Sequence, residues 1–282
     1  MKWISGSVYN KILGSLYAFL YIWEYEFQIL MIMKDLAKTS VGEIVRTNYK
    51  TAQLFEKHGI DFCRDGEMLL EVACKRSKVD FRLLLPEIES LMLISNPESI
   101  YLEEMSLDEL CMYIVRRHHR YVTDSIPFLQ IRISTLCEMH GQSHPELFKV
   151  RELFGEAADN LILHMKKEEH ILFPRIEKLA KFKTAFSDNA TMKPEDIHTP
   201  IKQMAGEHQD ENERFSIISE LTNHYEIPSD ACNTYRITYD SLKEFEEDLR
   251  KHIYVENNIL FRKAIDLEEE FIMEAAHQVA GK

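Results

Sequence analysis

The residues best placed to do chemistry are His164 with Glu168 and His252 with Glu256, each pair four positions apart. The second pair repeats the surroundings of the first. Ile171-Leu172-Phe173 follows one copy and Ile259-Leu260-Phe261 follows the other at the same offset. Residues four apart share a helix face, one turn above the other, so each copy projects an imidazole and a carboxylate in one direction. Both copies sit among apolar residues at helical spacing, which turns that direction inward. A buried carboxylate is costly unless compensated, so two inward His–Glu pairs facing each other call for a cation. Imidazole with carboxylate suits iron, manganese or zinc better than calcium or magnesium.

Two further histidines complete the pattern. His119 precedes His164 by 45 residues and His208 precedes His252 by 44. Each half therefore reads His, hairpin, His-x-x-x-Glu. Matched antiparallel hairpins would bring four imidazoles and two carboxylates to one level of a core. Shared between two metals, with both carboxylates bridging, that set gives each metal four protein ligands. Positions remain for an oxo bridge and a small exogenous molecule, as a reactive rather than a structural site requires. A single buried His is more often a hydrogen-bonded core residue, and a lone His-x-x-x-Glu is common. The repeat with its upstream His carries what the single motif does not. His118 is the rival of His119, about 100° round the helix from it; the near-equal spacing selects His119. His170 falls off the metal face, and His140, His144, His198 and His224 fall in turns. The surrounding Phe and Leu side chains read as core.

The elements that must position these groups are long helices. Ser106-Leu107-Asp108-Glu109 is a capping box that opens the first. It is expected over 106–139 with a kink at Pro127, the second over 146–181, the third over 199–224 and the fourth over 231–267. A thirty-residue helix spans roughly 45 Å, and four of them make an up-down-up-down bundle over 106–270. Ahead of it, 35–92 reads as a small helical module with helices at 41–57, 67–76 and 80–93, and a cysteine loop at 60–66. Residues 93–105 read as a linker. Residues 1–34 read as an N-terminal extension: the apolar run 12–23 is too short for a membrane span and meets Glu24 and Glu26 at once. It reads as the product of a start placed ahead of Met31 or Met33, or as an apolar appendage.

Composition narrows the class. Glycine (9) and proline (8) are scarce in 282 residues, which favours long helices, and 45% hydrophobic residues supply a sizeable core. A net charge of −13 with no basic aromatic patch argues against nucleic acid and an anionic membrane. The five cysteines, Cys63, Cys74, Cys111, Cys137 and Cys232, form no CxxC pair, so free thiols in a reducing compartment are expected.

With His164-Met165-Lys166-Lys167-Glu168-Glu169 running into Ile171-Leu172-Phe173-Pro174, and His252 to Glu256 running into Asn257-Asn258-Ile259-Leu260-Phe261, the chain resembles the repair-of-iron-centres family. The resemblance covers about 37–265. It implies an all-α fold, a small helical module followed by a hemerythrin-like four-helix bundle. It also implies two non-haem iron ions, oxo- and carboxylate-bridged, held at the positions of His119, His164, Glu168, His208, His252 and Glu256. Hemerythrin itself is less similar, because its site carries an extra His and a bridging Asp. The family's activity is repair of iron–sulfur clusters damaged by nitrosative or oxidative stress, by donating iron or by reducing nitric oxide. Its partners would be damaged iron–sulfur proteins and small diatomics, nitric oxide or oxygen, in the cytoplasm. The alternative is a hemerythrin-like module that binds or senses a diatomic without turnover. One departure stands out. Where the family loop reads Cys-Cys-Gly-Gly, this chain reads Cys63-Arg64-Asp65-Gly66. A single Cys63 cannot close a disulfide in its own loop. As a candidate thiol it needs Cys74, a small thiol or a second protomer, and the last leaves a homodimer open.

Overall fold

The computed structural model describes residues 36–48, 50–62, 65–92, 97–185 and 196–280. The N-terminal extension and Cys63 lie outside the described residues. The chain divides into two units, Met1–Asn96 and Pro97–Lys282.

The first unit holds α1 (Val41–Thr47), α2 (Lys50–Lys57), α3 (Leu70–Arg76) and α4 (Phe81–Met92). The single helix expected over 41–57 is broken at Asn48, whose backbone is extended at φ −151°. The Asn48 side chain explains the break. Its Oδ1 accepts from the Lys50 N–H at 3.1 Å and its Nδ2 donates to the Leu91 carbonyl at 2.7 Å, so it caps α2 and ties it to α4. Gly59 ends α2 at φ +68°, a conformation that glycine adopts without strain. Ile44, Phe55, Ile60, Phe62, Leu70 and Leu84 are fully buried and form its core.

The second unit opens with α5 (Pro97–Glu104), in the stretch expected to be linker. Two side chains of the last helix hold its end. Lys263 Nζ donates to the carbonyls of Glu103 and Met105 at 2.9 and 2.6 Å, and Arg262 meets the Glu103 carboxylate at 3.1 Å. A helix this short, with its support 160 positions away in sequence, gives no periodic signal.

Four long helices follow. α6 starts as Leu107–Ile114, passes a π-helical turn Val115–His119 and continues as Arg120–His140. The expected capping box opens it: the Glu109 carboxylate accepts from the Ser106 N–H at 2.9 Å. α7 runs through Glu146–Lys167, a π turn Glu168–Leu172 and Phe173–Ala185. α8 is His198–Leu221. α9 runs through Asn233–Val255, a π turn Glu256–Leu260 and Phe261–Ala280. α6 packs on α7 and α9, and α8 packs on the same two, giving an up-down-up-down bundle. Phe154, Phe215 and Phe245 meet edge-on or stacked at 5.5–6.4 Å between centroids in its core. Each buried ring contributes about 1.5–3 kcal/mol, enough for the framework to carry a few buried charges. No helix among the described residues is long and apolar enough to cross a membrane.

Candidate metal centre

The six expected residues converge. His119, Glu168, His252 and Glu256 form one group whose ligand atoms lie within 4.8 Å of one another; His164, Glu168, His208 and Glu256 form a second. All six are buried, with both carboxylates at 0% exposure. The two groups share both carboxylates, and each carboxylate divides its oxygens between them. Glu168 presents Oε2 to His119 Nε2 at 3.3 Å and Oε1 to His164 Nε2 at 3.3 Å. Glu256 presents Oε1 to His252 Nε2 at 2.9 Å and Oε2 to His208 Nε2 at 3.1 Å.

The polar atoms that face inward are under-satisfied. Both oxygens of Glu168, Oε2 of Glu256 and Nε2 of His119 have no well-formed hydrogen bond, although imidazoles stand beside them. Buried polar atoms are rarely left so unless something else pairs them. Lone pairs turned toward a common point fit a cation better than they fit each other. Without one, protons take its place. Burial pulls the His119 pKa down, but Glu168 and Glu256 outweigh it and hold it up at about 10. Burial likewise opposes, and Glu168 reverses, the shift of His164 to about 9. Burial raises the Glu256 carboxyl, and the neighbouring His252, with His119 and His208, drives it well below the usual range.

The helices present these groups through a local irregularity. His119 ends one π turn, while Glu168 and Glu256 each begin another. Single π turns inside α-helices commonly mark functional sites, because they re-aim the side chains around them. Among the four helices that carry the six residues, α8, which carries His208, is α-helical throughout.

Outer partners orient three of the four imidazoles. His119 Nδ1 pairs with Glu169 Oε1 at 2.7 Å, His164 Nδ1 with Glu207 Oε2 at 2.9 Å, and His208 Nδ1 with Asn257 Oδ1 at 2.9 Å. Such partners fix a ligand's tautomer and raise its basicity. Lys167 in turn donates to Glu207 at 2.6 Å. Partial burial pushes the Glu207 carboxyl up, but Lys167, His164 and Gln203 hold it at about 2. The phenylalanines of the repeat also belong here. Phe173 stacks on His119 and Phe261 on His208, at 5.8 and 6.0 Å between centroids. Glu169 and Asn257 each follow a repeated Glu directly, a signal the sequence offered and the motif reading passed over. A cavity of about 230 Å³ reaches His164, His208 and His252 and is lined by Asn160, Lys167, Glu207, Asp210 and Glu211.

The other histidines go elsewhere. His118 is wholly buried but turned away from both groups, with Nδ1 on Asp248 Oδ2 at 3.1 Å. His170 is exposed. His140 and His144 stand at the end of α6 and in the turn after it, against Cys232 and Asp230 of another turn.

Comparison with known proteins agrees with this geometry. The family model for the hemerythrin HHE cation binding domain matches residues 112–264, and the model described as a domain of unknown function (DUF542) matches 37–92. The iron-sulfur cluster repair protein ScdA of Staphylococcus haemolyticus is 30% identical over 223 residues, covering 79% of this chain and 96% of that protein. The iron-sulfur cluster repair protein YtfE of Edwardsiella ictaluri is 32% identical over 226 residues, covering 80% and 96%. The chain belongs to the repair-of-iron-centres family. The match to the small module thus precedes the match to the cation-binding bundle along the chain.

Proposed function

We propose that this protein holds two non-haem iron ions and restores iron–sulfur clusters damaged by nitrosative or oxidative stress. The observation that carries the reading is the division of oxygens. Glu168 and Glu256 each offer one oxygen to each of two four-residue groups. The names of the relatives, iron-sulfur cluster repair proteins, support the biological assignment.

His119, Glu168, His252 and Glu256 would hold one ion, and His164, Glu168, His208 and Glu256 the other. Bound iron would supply one-electron chemistry and an ion that can be handed on, with an oxo bridge completing the pair. The chain's own residues supply the rest. Six donors from four helices fix the spacing, and Phe173 and Phe261 keep two imidazoles from turning. The polar cavity beside His164 and His208 is wide enough for a diatomic or a hydrated ion to approach from one side. Lys167 and Glu207, paired with each other, stand at that cavity beside Asp210 and Glu211.

The partners are damaged iron–sulfur proteins, and the place is the cytoplasm; Cys74, Cys111, Cys137 and Cys232 are all free, as a reducing compartment keeps them. Cys63 would act as a single soft ligand for iron in transit. Iron content and an absorption spectrum of the isolated protein test the metal assignment. Restoration of a nitric-oxide-damaged cluster enzyme tests the function. Reversible diatomic binding with no restoration would instead make the chain a sensor. Cys63→Ser is expected to keep its iron and lose part of the restoring activity.

A further inference from the structure

The centre has an approximate two-fold pattern, and the pattern is broken at one place. The residue after each bridging glutamate braces the upstream histidine: Glu169 takes His119 and Asn257 takes His208. The residue before His208, Glu207, braces His164. By the same pattern the residue before His119 should brace His252, and that residue is His118. It does not brace it. His118 commits Nδ1 to Asp248, and its ring lies flat on His252, 5.4 Å between centroids and 2° between planes. His252 Nδ1, in a residue 1% exposed, is left without a hydrogen-bond partner, and so is His118 Nε2.

We infer that the two metal positions are unequal, that the position served by His119 and His252 binds its ion more weakly, and that His118 is a positioning residue for His252. The inference rests on the dinuclear reading above and adds which ion is the one released. An outer acceptor on a ligand imidazole raises its donor strength, and loss of one commonly weakens metal affinity by about 10–100-fold. The position of His164 and His208 has both acceptors; that of His119 and His252 has one. Stacking by His118 fixes the plane of the His252 ring, yet adds nothing to the basicity of its donor nitrogen. His252 lines the cavity together with both imidazoles of the other position, so the difference in outer acceptors, not access, separates the two.

Anaerobic calorimetric titration of the metal-free full chain with ferrous iron tests this. Two classes of site are expected, with dissociation constants about 10–100-fold apart. His118→Ala should weaken the weak class alone and widen the gap. Asp248→Asn, which keeps the shape and removes the carboxylate that holds His118, should do the same by less, and serves if the first variant does not fold. Glu207→Ala strips His164 of its acceptor and should weaken the strong class, closing the gap. Two indistinguishable sites, or a Glu207→Ala variant that weakens the weak class, would overturn the inference. A chain that takes up no iron would count against the proposed function instead.

Discussion

Two regions of the bundle gather histidines, acids and a reactive side chain, and only one is built for a metal. At the centre, the donor atoms of two groups of four converge within 4.8 Å and three of the four carboxylate oxygens have no hydrogen bond. At the end near the α6–α7 turn, the same residue types pair off. His140 Nε2 meets Cys232 Sγ at 3.2 Å, and His144 meets Asp230 at 3.1 Å and Glu146 at 3.1 Å. The Asp230 side chain there is 56% exposed, against 0% for Glu168. Paired groups in water need nothing further, whereas unpaired carboxylates sealed in a core do. Convergence and burial, not the number of histidines, separate the two regions.

The largest effect should come from removing what the two groups share. Glu168→Ala or Glu256→Ala takes one oxygen from each position, and under the proposed two-iron reading the iron measured by elemental analysis should fall to below one per chain. Iron at about a hundred times its dissociation constant adds about 2.7 kcal/mol to the wild-type fold. The variants should melt at nearly the same temperature with and without it. Two ions retained by both variants would erase the distinction between the regions.

Next comes the neighbouring pair on α6. His119→Ala should lose about one iron, since His119 belongs to one group only. His118→Ala should keep both at saturating iron. The reverse result would shift the register of α6 by one residue.

A pH titration sharpens the contrast further. In the metal-free centre His119 and His164 stay protonated up to about 10 and 9. Metal uptake must displace those protons, so apparent affinity should rise with pH, by about tenfold per unit for each proton displaced, and level off above about 10. Competition with a chelator of known affinity reads this directly.

At the other end the titrating group is the thiol. The hydrogen bond from His140, with backbone N–H groups of the α9 start, lowers the Cys232 pKa to about 7. Alkylation at pH 7 should label Cys232 before Cys74 and Cys137, whose thiols burial pushes up. The rate should rise through pH 7 and then flatten, and His140→Ala should move that rise upward. Mass spectrometry of timed digests gives the order.

The smallest effect belongs to His144 and Asp230. The partly desolvated His144 is raised by Asp230 and Glu146, while His144 lowers Asp230. The pair therefore helps the fold from above the lowered Asp230 pKa, and its help fades as pH rises past the raised His144 pKa. Asp230→Ala should shift the melting temperature slightly, and less at high salt. A shift rivalling that of Glu168→Ala would mean the end of the bundle is more than a solvated turn.

Much of the centre could be read from the chain because its logic is periodic. Helical spacing puts His164 with Glu168 and His252 with Glu256, and equal hairpins bring His119 and His208 to their level. The braces were harder to see. Glu169 and Asn257 sit one residue past the motif, about 100° off its face in a regular helix, and they reach across to another helix. Asn48 looked like one more position in a helix, and only its bonds to Lys50 and Leu91 show why the helix stops. α5 is held by Arg262 and Lys263 from the far end of the chain, which no local pattern encodes.

The π turns carry a consequence for how such a site is inherited. Each amounts to one residue added to an α-helix, and everything beyond it is rotated by about 100° relative to an uninterrupted helix. Loss of a single codon within Glu169–Leu172 would leave His164 and Glu168 in place while swinging Phe173 away from His119. A lineage can therefore tune or dismantle half of the centre by an in-frame deletion of three nucleotides, with every ligand codon intact. Counting ligands across descendants of this gene would miss that change; counting the residues between them would find it.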